Sequence, residues 1–360
     1  MIVVANDAAA RADSTVDRYR DAVRRKVGFC GVCLGALAAA VVAAVAVGSV
    51  SVPFRDVVGA LLTGGSGRTA AIVWNIRLPR VLSAAVAGLG LATAGAAMQN
   101  VLRNPLGAPY TLGISQAAAF GAAFSIVALG TGAIGSGTVS ISAPYVTTVA
   151  AFAGAMLSTA AILLLVTLKR ASPETMILTG VALGSLFTAG ITTLQYFASS
   201  VEVAAIVYWT FGDVGRSTWS NLGFMTAVVV PVAGYFYAHG WEFNALDAGA
   251  ETARSLGVDV DSLRVRSMAL ASFATAVIIS FVGIIGFVGL VAPHMVRKVI
   301  GGDERFLLPA SGLVGALLLV VADTVARTVL SPVVLPVGIL TSFLGAPLFL
   351  YLVVRGREYW

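Results

Sequence analysis

The sequence predicts an all-α integral membrane protein of about ten transmembrane helices, and three observations lead there. Charged residues make up 11% of the chain, where a soluble domain carries roughly a quarter. Mean hydropathy is +0.92, too apolar for one soluble core, because a soluble fold needs polar residues to cover its surface. Apolar runs such as 28–50 and 146–168 each supply about 20 residues, enough to cross about 30 Å of hydrocarbon.

Read in order, the apolar runs place spans at 28–50, 81–102, 112–130, 146–168, 174–198, 218–239, 265–282, 285–300, 307–330 and 335–354. The eighth is interrupted by Gly286 and Gly289 and is expected to end near Pro293. The shorter run Val203–Phe211 is too short to span and predicts a helix lying at one surface. Residues 1–27, with Arg18, Arg20, Arg24, Arg25 and Lys26, predict a cytoplasmic tail, disordered near its start, with an amphipathic interfacial helix as the alternative nearer the membrane. Residues 28–354 then form the transmembrane domain and 355–360 a cytoplasmic C-terminus. With both termini inside a plasma membrane, 17 of the 23 Lys and Arg residues fall on the cytoplasmic side, as cytoplasmic loops require. An odd number of spans separates the basic tail from the C-terminal arginines, so the even count is preferred.

Several function classes are excluded at this stage. The net charge of +6 is spread between spans rather than gathered in a patch, so nucleic acid is not an expected partner. Cys30 and Cys33 form a C-x-x-C inside the first apolar run and read as small packing residues, since a redox pair needs a polar, reachable setting. His239 and His294 are the only histidines, and no ligand cluster accompanies them, so no metal or haem site is expected. No nucleophile–base pair emerges, so no catalytic residue or cofactor is assigned. No G-x-x-x-x-G-K-[ST] phosphate loop occurs; if ATP drives this protein, another chain binds the nucleotide and its Mg.

The longest hydrophilic interior stretch, 240–264, carries Asp247, Glu251 and Arg254 before Gly257. It predicts one short helix from Ala245 to Leu256 with an apolar stripe of Leu246, Ala250, Ala253 and Leu256. Such a stripe lies on lipid or fits a groove in a cytoplasmic partner. Outside, Arg77 and Arg80 bracket Leu78-Pro79, against the positive-inside tendency. They either snorkel to headgroups or receive carboxylates of a partner, which arginine binds in bidentate pairs. Arg327 lies four residues after Asp323, an i,i+4 pair that lowers the cost of an Asp near the membrane. Asn104-Pro105-Leu106 breaks the chain at the inner end of the second span. Gly180 and Gly184, followed by Ser185, Thr188 and Thr192, give the fifth span a face of small and hydroxyl residues, read either as helix packing or as a pathway lining.

Glu251-x-Ala253-x-x-x-Gly257 resembles the coupling motif of ABC importer permeases, with Thr252 where Ala is commoner and no closing Leu-Pro. Six further blocks extend the likeness: Arg77-Leu-Pro-Arg80; Met98 to Leu106; Tyr110-Thr-Leu-Gly-Ile-Ser115; Gly286 to His294; Ala322 to Arg327; and Leu335-Pro-Val-Gly338 with Gly345-Ala-Pro347. Together, from about residue 50 to the end, they resemble the iron-siderophore, haem and cobalamin permease family (FecCD-type, ten-span type II importers). The resemblance implies a homodimer, or a heterodimer with a close paralogue, with two ATP-binding subunits and an extracytoplasmic substrate-binding protein. It implies a short cytoplasmic coupling helix pair and a short external surface helix, ATPase coupling through Asp247, Glu251, Ala253, Arg254 and Gly257, and binding-protein docking on Arg77, Arg80 and Arg327. It implies an inner gate at Asn104 and Leu106, and an outer mouth capped by the helix near Trp209 and Gly212. Ser185, Thr188 and Thr192 would line a pathway for an iron chelate, with ferric siderophore expected ahead of haem and cobalamin. The competing class is an ion-coupled secondary transporter, which needs ionisable residues at mid-membrane depth; only Asp323 comes near.

Overall fold

A computed structural model describes residues 2–48, 54–63, 67–135, 138–169 and 172–355. The expected cytoplasmic residues Arg170 and Arg357, and the C-terminal segment from 356 onward, lie outside the described residues, as do the side chains of Arg11, Arg68, Lys169 and Arg355.

The chain is a helical bundle with one small β-hairpin. In order it runs α1 (Ile2–Ala46), α2 (Phe54–Thr63), α3 (Arg68–Ile72), α4 (Leu78–Val101), α5 (Ile114–Ala128), α6 (Pro144–Lys169), α7 (Pro173–Phe197), α8 (Ser200–Thr210) and α9 (Trp219–Ala238). It continues through α10 (Gly240–Asp247), α11 (Ala250–Ser255), α12 (Val260–Val282), α13 (Val288–Ile300), α14 (Glu304–Thr328) and α15 (Val337–Arg355). Among the described residues, seven helices are long and apolar enough to cross a membrane. Shorter apolar helices are α5, α8 and residues 337–351 of α15. The hairpin, β1 (Gly132–Gly135) against β2 (Thr138–Ile141), is an antiparallel pair that hydropathy did not reveal. Its four-residue strands sit in a connection rather than in lipid, where an open sheet edge would leave unpaired backbone groups.

The first helix departs from expectation. Residues 2–27 continue α1 without a break instead of forming a tail disordered near its start. At 1.5 Å per residue its 45 residues span about 68 Å, more than twice the hydrocarbon thickness, so its N-terminal part stands clear of the bilayer.

The bundle is organised around α4. In the α3–α4 span Thr69–Val101, 78% of the most apolar window is buried inside the protein. A π-helical turn, Val73–Arg77, joins α3 to α4. The helices around α4 approach closely through small residues, as association in lipid requires. A Cβ at Gly95 would stand 1.9 Å from the Gly289 carbonyl oxygen of α13, and one at Gly88 2.3 Å from that of Gly315 in α14.

The eighth span corrects another expectation. Its break precedes the helix, at residues 283–287, where Gly283 (φ 77°) and Phe287 (φ 66°) adopt positive φ. From there α13 runs through Pro293 to Ile300. Proline lacks the N–H that would bond the carbonyl four residues earlier, which is that of Gly289. The Gln99 side-chain amide of α4 donates to this carbonyl at 3.3 Å, so the proline is tolerated inside the helix.

Replacing Gly95 by valine is expected to abolish the monodisperse peak of the detergent-solubilised protein on size-exclusion chromatography. Gly223→Ala, whose new Cβ would meet nothing within 4 Å, is expected to leave that peak unchanged.

Candidate functional site

Three groups of residues form the candidate site: one at the end of the bundle carrying the 240–257 loop (the lower end), one along α7, and one at the opposite, upper end. The N-terminal part of α1 lies at the lower end, since Lys26 Nζ bonds Asp303 Oδ2 at 3.0 Å beside the start of α14. The C-terminal part of α15 lies there too, with Lys298 over the Tyr351 ring at 5.9 Å. Both ends of the described chain are therefore on the side of the 240–257 loop.

At the lower end the loop holds the expected pair of short helices, and the single run expected over 245–256 is divided between them. Gly249 (φ 120°) breaks the run between α10 and α11, in a conformation that only glycine adopts cheaply. The expected apolar stripe is largely consumed by the protein itself: Leu246 and Ala253 are fully buried, Ala250 is half-buried, and Leu256 alone of the four is exposed. What projects outward is polar. Asp247, Glu251, Arg254 and Gly257 are exposed around buried Ala253, and Arg254 pairs with Asp261 at 3.4 Å.

Next to this loop, α4 ends in a Schellman motif. Arg103 N donates to Asn100 O and Asn104 N to Gln99 O, both at 3.0 Å, which is the bonding pattern of that cap. The left-handed position, where glycine is usual, is held by Arg103 at φ 47°, so the chain carries local strain there. Asn104 Oδ1 then accepts the Leu106 N–H at 2.8 Å, an Asx turn leading around Pro105 and leaving Leu106 exposed.

Along α7 lies an open groove of about 760 Å³. Ser185, Thr188 and Thr192 line it from α7; Tyr110, Thr111, Gly113 and Gln116 line it from the 3-10 turn at 109–112 and from α5. The Gly180–Gly184 face packs at one end and opens on the groove at the other. Gly180 lies against the Leu112 backbone, where a Cβ would stand 2.6 Å from its Cα, while the hydroxyl residues one turn further line the groove. Ser185 Oγ donates to Val181 O, Thr188 Oγ1 to Gly184 O and Thr192 Oγ1 to Thr188 O. With their protons held by their own helix, these hydroxyls make a weakly polar wall without a charge. A second groove of about 300 Å³ shares Tyr110 and reaches Thr210, Phe211, Gly286 and Gly338 at the upper end.

At the upper end the arginines do not form an open socket. Arg77 and Arg327 are buried, at 4% and 5% exposure, and Arg80 is nearly so. Arg77 donates to Val45 O and Ala46 O at 2.9 and 2.8 Å, and Arg327 to Ala44 O and Val47 O at 3.0 and 3.1 Å. Two guanidiniums thus satisfy the orphan carbonyls at the C-terminus of α1, where cations also suit the helix dipole. Asp323 is the common anion, with Arg80 at 2.7 Å and Arg327 at 3.0 Å, the latter the expected i,i+4 pair. Asp213 adds a contact to Arg80 at 3.5 Å. Arg216 turns back to the carbonyls of Tyr208, Trp209 and Phe211 at the end of α8, and burial pushes its pKa down. The physical reason is shared: near lipid, a guanidinium without internal acceptors is too costly. Gly212 ties this corner together, accepting from Gly338 N at 2.9 Å, while Asp213 N donates to Val282 O at 2.7 Å.

Comparison with known proteins now decides the family. Residues 36–355 match the model of the FecCD transport family. The chain belongs to the FecCD transport family. It is 50% identical over 339 residues to an ABC transporter permease protein of Methanocaldococcus jannaschii, covering 94% of this chain and 97% of that one. It is 42% identical to the cobalamin import system permease protein BtuC of Halobacterium salinarum, over 80% of this chain and 74% of that protein. It is 37% identical to the hemin transport system permease protein HmuU of Yersinia pestis, over 79% and 84%. Among solved structures it resembles an inward-facing metal-chelate type ABC transporter, with a TM-score of 0.77 at 29% identity over 91% of this chain and 98% of that one. As a FecCD member the chain is a multi-pass importer permease, a transport subunit rather than an enzyme.

Sequence reasoning missed the partners across the fold. Asp213 carried no motif of its own, and nothing in the sequence marked Asn244, inside α10, or Glu304, at the start of α14, as groups that meet. Tyr110 stood in a recognised block, and its place between the two grooves was signalled only by the helix break around it.

Because Asp323 compensates two buried guanidiniums, Asp323→Ala is expected to lower thermal stability by about 3–5 kcal/mol. Asp261→Ala, which removes the solvent-screened partner of Arg254, is expected to change it by less than about 1 kcal/mol. Thermal melting of the detergent-solubilised variants measures both.

Proposed function

We propose that this FecCD permease imports a metal chelate of the siderophore, haem or cobalamin class by alternating access, powered by two ATP-binding subunits on its lower, cytoplasmic face. The observation that carries the reading is the exposed knob of Asp247, Glu251, Arg254 and Gly257 on α10 and α11. It is a polar docking surface on a chain without a nucleotide-binding loop of its own. The adjacent turn at Asn104 and Leu106 is the inner gate, and its strained Arg103 backbone suits a segment that must change conformation.

The pathway runs along the wall of Ser185, Thr188 and Thr192. Its openness along α7, where Leu178, Val181 and Leu186 are exposed, supports completion of the pathway by a second copy or a close paralogue. A neutral wall whose Ser185, Thr188 and Thr192 protons are held by their own helix suits a carrier whose specificity resides in an extracytoplasmic binding protein. That protein docks on the upper face, which Arg77, Arg80 and Arg327 shape from below by holding α1 and the Asp213 corner in place. Cargo is assigned at the level of the class: the named relatives are cobalamin and hemin permeases, and ferric siderophore stands beside these as the third member.

The test is uptake into proteoliposomes containing the chain, its ATPase and its binding protein, offered ferric siderophore, haem and cobalamin in parallel. Accumulation of one of them is expected only with ATP and the binding protein both present, and Glu251→Ala is expected to reduce it about tenfold or more. Accumulation by the chain alone under an ion gradient would contradict the reading.

A further inference from the structure

Beneath the exposed knob lies a cluster of buried polar groups that neither the gate nor the pathway uses. Glu304 opens α14 with its side chain 1% exposed. Its Oε1 accepts from Asn100 Nδ2 of α4 at 3.3 Å and from an Arg297 guanidinium nitrogen of α13 at 3.2 Å. Its backbone N–H donates to Asn244 Oδ1 of α10 at 2.7 Å. Asn100 Nδ2 also donates to the Phe243 carbonyl of α10 at 3.1 Å. Asn244 in turn donates to Asp303 at 2.9 Å, and Asp303 holds Lys26 of α1 at 3.0 Å. The Arg305 guanidinium keeps the Asp303 carboxyl well below the usual carboxylate range, helped by Asn244 and Lys26. A depressed pKa means that this stabilisation is complete at neutral pH and is lost only as the pH falls below the ordinary carboxylate range.

The cluster therefore ties α10, the first of the two loop helices, to the last turn of α4, and Asn100 is itself an acceptor in the Schellman cap that leads to Asn104 and Leu106. Such a buried network, with its members bonded to one another, holds its helices in one register. Glu304 Oε2 has no hydrogen-bond partner, so burial of this carboxyl group carries an unmet desolvation cost.

We propose that the Asn100–Glu304–Asn244 junction transmits displacement of α10 and α11 to the inner gate, with Asn100 and Glu304 as positioning residues. The inference rests on the reading of α10 and α11 as the ATPase docking surface.

The experiment measures cargo transported per ATP hydrolysed in the reconstituted complete transporter. Asn100→Ala removes the tether to Phe243 O and Glu304; Glu304→Gln keeps an acceptor at the Oε1 position. Asn100→Ala is expected to assemble with the ATPase, hydrolyse ATP at a rate near the parent's, and lower the ratio about tenfold. Glu304→Gln is expected to stay within twofold of the parent, and Glu304→Ala to fall with Asn100→Ala. Should Asn100→Ala fail to assemble, Asn244→Ala, which cuts the same link from the other side, replaces it with the same expectation. An unchanged ratio in Asn100→Ala, or transport and hydrolysis falling in equal proportion, overturns the proposal. Glu251→Ala run in parallel separates the two readings. If it uncouples while Asn100→Ala does not, the junction alone is wrong; if Glu251→Ala changes neither assembly nor ratio, the docking surface itself is wrong.

Discussion

The close backbone crossings of α4 are the constraint on which the rest of the structure depends. At Gly95 against Gly289 and Gly88 against Gly315 there is no room for a side chain, so the register of α4 with α13 and α14 is set to within a fraction of a residue. In lipid there is no hydrophobic gain from helix association, and such contacts supply the packing instead. Once α4 is placed, its two ends are placed as well. The upper end brings Arg80 to Asp323; the lower end brings Asn100 to Phe243 and Glu304. Pro293 is tolerated inside α13 because the same register delivers Gln99 to the Gly289 carbonyl.

Polar groups are then distributed by one rule: near lipid each needs an internal partner, and only those facing water are left open. The upper arginines obey it by capping α1, closing what the sequence alone reads as a socket. The α7 hydroxyls obey it by bonding their own helix, which leaves a neutral groove. The exposed exceptions, Asp247 and Glu251, lie on the short helices at the lower end, outside every span, where water is the alternative partner.

Much of this was visible in the residues. Spans are readable because crossing hydrocarbon needs about twenty apolar residues, and Asn104-Pro105 marks a helix end because proline restricts the residue before it. The Ser185, Thr188 and Thr192 face follows from helical spacing. What could not be read is what distant segments do to one another. Periodicity places Arg77 at a span's edge, but it does not say that the carbonyls of α1 lie within reach. Gly249 looked like one glycine in a helical run, and only its backbone geometry divides α10 from α11. The continuity of α1 through residues 2–27 was hidden because polar, charged residues carry no hydropathy signal for a helix that stands outside the membrane.

The central claim is that α10, α11 and the lower end of α4 move as one body. Leu106 and Leu256 are both exposed, as is Val329 at the upper end, so spin labels at these positions can report distances in the assembled transporter by electron–electron double resonance. On adding ATP, the account predicts an unchanged Leu106–Leu256 distance while both labels shift relative to Val329. A shift of Leu256 relative to Val329 with Leu106 left in place would contradict it.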